Sequence, residues 1–205
     1  MPTRSASAIG HLLSALMICT LPLPALANPG HPAHTNAVSM LTEGLLHPLA
    51  GADHLLAMLA VALWSAMVYP ALKRAISLPL SFSLILLLGA LLGMAGLRIP
   101  LVEPLIMASL LVLGLMLVGM ARLPVQAGAA LVGFFAFFHG AAHGMELPEG
   151  GGAILFILGF MISTLLIHCT GMVAGVILTH KHTWPARLAG AGIASYGAVL
   201  MIAGQ

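Results

Sequence analysis

The sequence predicts an all-α integral membrane protein, a cleavable signal peptide followed by a six-helix transmembrane bundle. Three observations predict it. Of the 205 residues, 60% are hydrophobic and only 6% are charged, whereas a soluble domain carries about 25% charged residues. Mean hydropathy is +1.11. The apolar sequence falls into six runs of membrane-spanning length, separated by short connections rich in proline or charge. A chain of this length needs one domain. The net charge of +2 rests on so few ionised groups that nothing points to nucleic acid as a partner.

Residues 1–27 have the layout of a secretory signal. Arg4 is the basic start, Ile9 to Thr20 the apolar core, Leu21-Pro22-Leu23-Pro24 a helix-breaking stretch, and Ala25-Leu26-Ala27 a small-x-small cleavage pattern. The apolar core is too short to span a bilayer, which takes about 20 residues. Residues 28–42 are expected to form a short polar lead with His31 and His34, best explained as a flexible tail, and residues 43–205 the six-helix domain.

The helices are expected near 48–70, 77–97, 103–121, 125–145, 152–179 and 186–203. Pro48, Pro104 and Pro124 suit first turns, where the missing N–H has no partner to lose. Pro70, Pro79, Pro100, Pro148 and Pro185 sit in or beside connections. With the mature N-terminus outside, the inward loops carry Lys73, Arg74, Arg122, Lys181 and Arg187, and the outward loops only Arg98 among basic residues. That asymmetry satisfies the positive-inside bias and places both mature ends outside, in the periplasm of a bacterial inner membrane. No strong internal repeat is visible; the histidine-bearing helices one and four are candidates for equivalent members of two inverted three-helix halves. Gly89/Gly93 and Gly171/Gly175 mark close helix contacts.

Ten histidines against five carboxylates is unusual for such a chain. Ionisable groups inside a membrane usually face the bundle interior or a water path and carry function. In His47-Pro48-Leu49-Ala50-Gly51-Ala52-Asp53-His54, a continuous helix would set His47 and His54 two turns apart on nearly one face, with Met58 one turn on and Asp53 about 100° round. Asp53 would orient His54 or share its ion. On the fourth helix His139, His143 and Glu146 stand at i, i+4 and i+7, a spacing that chelates one ion from one helix face. Glu146 could equally be a solvated rim residue. Phe134, Phe135, Phe137 and Phe138 before this stripe are expected to face lipid. His168, with Thr164 one turn before it and Cys169 beside it, lies deeper on helix five; a relay position and a hydrogen-bonded packing histidine both fit it.

Other features are weaker. His180 and His182 fall in a basic loop and read as solvated; Glu103 faces the dipole of its own helix start. The thirteen methionines are mostly apolar fill, and Met58 and Met145 matter only for a soft ion. Cys19 and Cys169 are the only cysteines, and Cys19 falls in the expected signal peptide, so no internal disulfide is expected. There is no phosphate-binding Gly-x-x-x-x-Gly-Lys-Ser/Thr loop, no Cys-x-x-Cys and no Gly-x-Ser-x-Gly elbow.

His47-Pro48-x-x-Gly51-x-Asp53-His54-x-x-x-Met58 and Phe138-His139-Gly140-x-Ala142-His143-Gly144-x-Glu146 resemble the two signatures of the HupE/UreJ family. These are bacterial inner-membrane proteins associated with hydrogenase and urease gene clusters. The resemblance covers essentially the whole mature chain. One departure is Val61-Ala62, where family members often carry Val-Gly. The resemblance implies a secondary permease for nickel, or for cobalt as in some members, supplying hydrogenase or urease maturation. It implies His47, Asp53, His54, His139, His143 and Glu146 as the metal-handling set, with His168 beyond them.

The leading expectation is therefore a transporter, not an enzyme, with a divalent metal ion as substrate, the bilayer as its surroundings and no tightly bound cofactor. A homo-oligomer is compatible with the chain. An intramembrane metal-dependent hydrolase and a metal-binding accessory subunit are the alternatives.

Overall fold

In the computed structural model the described residues are 37–147 and 152–204. The expected signal peptide, His31, His34 and Pro148 lie outside them. Among the described residues there are seven α-helices and no strand: α1 (Ala37–Ala50), α2 (Ala52–Val68), α3 (Leu72–Met94), α4 (Val102–Gly119), α5 (Val125–Glu146), α6 (Ala153–Lys181) and α7 (Trp184–Ala203). The helices α3 to α7 are each long and apolar enough to cross a membrane. α1 and α2 meet these criteria only together, as a pair bent by 74° at Gly51.

Several expectations are corrected here. The first helix starts at Ala37, so residues 37–42 of the expected polar lead are helical. Pro48 lies inside α1 near its end, not in a first turn. A proline at that point removes one backbone hydrogen bond. Three residues later Gly51, with φ −91° and ψ 108°, leaves helical geometry and caps α2. Pro79 also lies inside α3. The second expected helix starts at Leu72 instead of 77, so Lys73 and Arg74 stand in the first turn of α3 and not in a loop; the remaining limits fall within a few residues of expectation.

Glycines decide which helices touch. Gly44 and Gly159 bring the backbones of α1 and α6 together, with Gly44 on Phe156 and Gly159 on Leu41 and Leu45. Further along α6, Gly171 meets Ala62 and Gly175 meets Ala66 of α2. Between α3 and α5, Gly89 lies on Phe137 and Ala141, Gly140 on Leu86, and Gly144 on Ala90. In both pairs residue numbers rise together, so the helices run parallel. Between α4 and α7, Gly114 lies on Gly190 and Ala194 while Gly197 lies on Leu110 and Leu111, so these run antiparallel.

Two inverted three-helix halves, with α1–α2, α3 and α4 as one and α5, α6 and α7 as the other, would have this pattern of directions. In such an arrangement a two-fold axis would exchange the α1–α2/α6 pair with the α3/α5 pair and map the α4/α7 pair onto itself. The histidines do not follow the symmetry. His47 and His54 flank the break at Gly51, His139 and His143 lie late in α5, and His168 lies within α6.

The interior is filled by Trp64, Leu78, Phe82, Leu110, Leu113, Leu117, Val132 and Phe160. Trp64 Nε1 donates to the Ala121 carbonyl at 2.9 Å and Tyr69 Oη to that of Leu123 at 2.9 Å, tying α2 to the α4–α5 connection. Buried polar tips here find backbone acceptors, as a water-poor interior demands. The outer surface of the bundle is apolar, with Leu158, Leu166, Val199 and Ile202 exposed, as suits contact with lipid tails.

Candidate metal centre

The site is assembled from two irregular pieces of helix. On α5 each histidine is followed by a glycine: His139-Gly140 and, one turn later, His143-Gly144. A Cβ on either glycine would run into the carbonyl oxygens of Leu86 and Ala90 on α3. The glycine face is therefore pressed against α3, which turns the histidine face toward α1 and α2. Both imidazoles are buried, His139 completely.

The partner piece is the break at Gly51. The expectation that His47 and His54 share one face of a continuous helix is corrected by the 74° bend, which places His47 at the end of α1 and His54 at the start of α2. Both still reach α5, by different routes. His47 Nε2 lies 2.8 Å from His143 Nδ1. The His54 ring centroid is 4.1 Å from that of His143 and 4.6 Å from that of His139. A Cβ on Gly51 would lie 3.1 Å from Asp53 Oδ1 and 3.3 Å from His54 Nδ1. The break thus supplies both the bend and the space into which Asp53 and His54 fold back.

Asp53 orients His54: its Oδ1 accepts from His54 Nδ1 at 2.9 Å. It stands in the first turn of α2, where the helix dipole favours a carboxylate. Glu146 is exposed, and a carboxylate oxygen of it lies with one nitrogen each of His47 and His143 in a group spanning no more than 4.8 Å. The stripe expected on α5 is thus divided. His143 and Glu146 join His47 near the rim, and His139 points further in.

The direction of the hydrogen bonds decides where lone pairs are left. Ser109 Oγ donates its one proton to the Ile106 carbonyl at 2.6 Å. Its contact of 2.8 Å with His139 Nε2 must then be a bond that Ser109 accepts. A neutral His139 is consequently protonated at Nε2, and Nδ1 carries a free lone pair. The carboxylate of Asp53 can only accept, so neutral His54 is protonated at Nδ1 and Nε2 is free. His143 engages Nδ1 with His47, and its Nε2 carries a lone pair in the tautomer whose Nδ1–H donates to His47 Nε2. The three nitrogens left over, His54 Nε2, His139 Nδ1 and His143 Nε2, are buried without any hydrogen-bond partner. Buried polar atoms are nearly always paired. Three orphaned imidazole nitrogens in touching rings, each opposite a tied nitrogen, are what a cation-binding cluster with oriented ligands requires.

His168, on α6, is also buried and follows the same rule. Ser83 Oγ donates to the Pro79 carbonyl at 2.9 Å and can accept from His168 Nδ1 at 3.4 Å, leaving His168 Nε2 unpartnered; Thr164 Oγ1, four residues earlier on α6, is unpartnered as well. It does not touch the other histidines. The Phe82 ring stands between, 6.0 Å from His139 and 5.3 Å from His168 by centroid. His180 and His182 are exposed, as expected. The phenylalanines before the motif divide: Phe134 is exposed and Phe135 buried.

Sequence reasoning missed Ser109, Ser83, Phe82 and Phe160. Ser109, the one polar side chain of α4 after Glu103, is a signal for the first; the aromatic residues carry none.

Fold and site together define a multi-pass helical membrane protein with an oriented imidazole and carboxylate cluster inside the apolar bundle. The family model described as HupE / UreJ protein matches residues 16–200. The chain is also similar to Protein HupE of Rhizobium leguminosarum bv. viciae, with 32% identity over 186 residues that cover 90% of this chain and 95% of that protein. The chain belongs to the HupE/UreJ family. No solved structure matches it.

Proposed function

We propose that this protein is a secondary transporter that carries a divalent transition metal, nickel or alternatively cobalt, across the bacterial inner membrane to supply hydrogenase or urease maturation. In this reading α1 and α2 are one broken span, six spans cross the membrane, and both mature ends face the periplasm. Discontinuous helices at a substrate site are a recurrent transporter device, because the interrupted backbone lines the path instead of facing lipid.

The observation that carries the reading is the set of three buried, partnerless imidazole nitrogens, each opposite a nitrogen already engaged. An ion arriving from the periplasm meets His47, His143 and Glu146 at the rim, where water is still available. It then passes to His54, held by Asp53, and to His139, held by Ser109. His168 forms a later station beyond Phe82. Neutral nitrogen donors with two carboxylates at the margin bind a late transition metal without enclosing it, and conduction needs several sites of modest strength. The void beside His54 and His139 is too narrow for a water molecule, which favours an ion path over a hydrolytic site that must hold water and substrate.

The test is uptake of radioactive nickel into proteoliposomes, with His54→Ala and His143→Ala. Uptake is expected to collapse in both. Full uptake in both would remove the proposal.

A further inference from the structure

Between α2, α3, α5 and α6 the side chains of His54, Met58, Phe82, Leu86, His139 and Phe160 line a narrow void. It has no room for a water molecule at any point. His54 and Met58 are one turn apart on α2 and so share a face. His139 comes from α5, Phe82 and Leu86 from α3, and Phe160 from α6. His54 Nε2 and His139 Nδ1 are unpartnered, and neither residue is more than 8% exposed. Met58 is 2% exposed and carries the one sulfur among the lining residues.

We propose that this void is a second, dry metal position in which Met58 supplies a thioether ligand beside His54 and His139, and that this sulfur selects late transition metals over hard divalent cations. The proposal rests on the transport reading above and goes beyond it in assigning a residue and a discriminating step. An ion entering the void must leave its water behind, because no position there can hold any. What it meets instead is two neutral imidazoles and one polarizable sulfur, walled by aromatic and aliphatic carbon. Magnesium gives up water reluctantly, and magnesium, calcium and manganese favour oxygen ligands. Nickel, cobalt and copper accept nitrogen and sulfur. The rim group of His47, His143 and Glu146 is partly open to water and has a carboxylate, so it captures divalent ions with little discrimination. Discrimination falls to the void. Asp53, bonded to His54, places a negative charge next to the dehydrated ion without being a wall of the void itself.

The competing account of Met58 is apolar fill, the commonest role of a buried methionine. Met58→Leu separates the two, because leucine keeps the volume and removes the sulfur. Size-exclusion and melting profiles matching the wild type show that the variant folds. X-ray absorption at the nickel edge, on purified protein loaded with Ni²⁺, is expected to show a sulfur scatterer that Met58→Leu lacks. In proteoliposomes the Mn²⁺ concentration that halves nickel uptake is expected to fall about tenfold in Met58→Leu. Absence of a sulfur scatterer in the wild-type protein, or unchanged competition in the variant, overturns the proposal. If His54→Ala abolishes uptake while Met58→Leu behaves as wild type, only the sulfur ligand is lost. If His54→Ala and His143→Ala transport normally, the transport reading itself fails.

Discussion

His139 and Ser109 are joined by a hydrogen bond of 2.8 Å whose direction is decided outside the pair. Ser109 has one proton and gives it to the carbonyl of Ile106 in its own helix, so it can only accept from His139. A hydroxyl on α4 thereby fixes the tautomer of a histidine on α5 and leaves the other nitrogen bare. The same logic runs through Asp53 and His54, and more weakly through Ser83 and His168.

Ser109→Ala removes this acceptor and leaves His139 free to turn or change tautomer. Loss of an orienting partner costs metal sites about 10–100-fold in affinity or activity. Nickel uptake and nickel affinity by titration calorimetry should both fall in that range, with the helical content by circular dichroism unchanged. Wild-type affinity in Ser109→Ala would show that the lone pair on His139 Nδ1 takes no part.

Gly51→Ala tests the break between α1 and α2. The added methyl lies 3.1 Å from Asp53 Oδ1 and 3.3 Å from His54 Nδ1, so that pair must shift by a few tenths of an ångström. The substitution also removes the residue that most readily leaves helical geometry. Uptake is expected to drop while the protein is still made and inserted. A variant with normal uptake would mean that the Asp53–His54 pair tolerates displacement.

Gly140→Ala and Gly144→Ala should destabilise the protein, because each methyl meets a backbone carbonyl of α3 that cannot rotate away. Overpacking of this kind costs about 1–3 kcal/mol. Gly192→Ala is the control, since nothing lies within 4 Å of its Cβ. Thermal unfolding in detergent should separate the first two from the third; equal melting temperatures would contradict the close α3–α5 packing.

His168→Ala addresses the proposed later station of the path. His168 is separated from the other histidines by the Phe82 ring, so its loss should leave nickel affinity at the outer cluster unchanged and slow transport. Binding by calorimetry and initial uptake rates measured side by side check this. Equal loss of both would place His168 within the outer site.

Much of this arrangement was legible from the chain. Composition and run length indicated a helical membrane protein, and Gly-x-x-x-Gly spacing marked contacts that the packing contains. His139 and His143 needed only helical periodicity, because α5 is one uninterrupted helix and i, i+4 residues on such a helix share a face. His47 and His54 were harder. Helical spacing relates them only along a continuous helix with Pro48 in its first turn, whereas α1 begins at Ala37 and the chain bends at Gly51. Periodicity describes one straight element and has no term for a break inside it.

What residue types and their order settled was the solvent of this protein, its helical class, the family to which it belongs and the short list of polar residues with no business in hydrocarbon. Folding decided how they are used: that Asp53 holds His54, that Ser109 from α4 holds His139, that Phe82 stands before His168, and that Met58 lines a dry void. These are relations between helices, set by the rotation of each about its axis and by backbone contacts at glycines such as Gly44, Gly140 and Gly144. His47 meets His143 across 96 positions of sequence. No local pattern encodes that distance, and only the packed bundle supplies it.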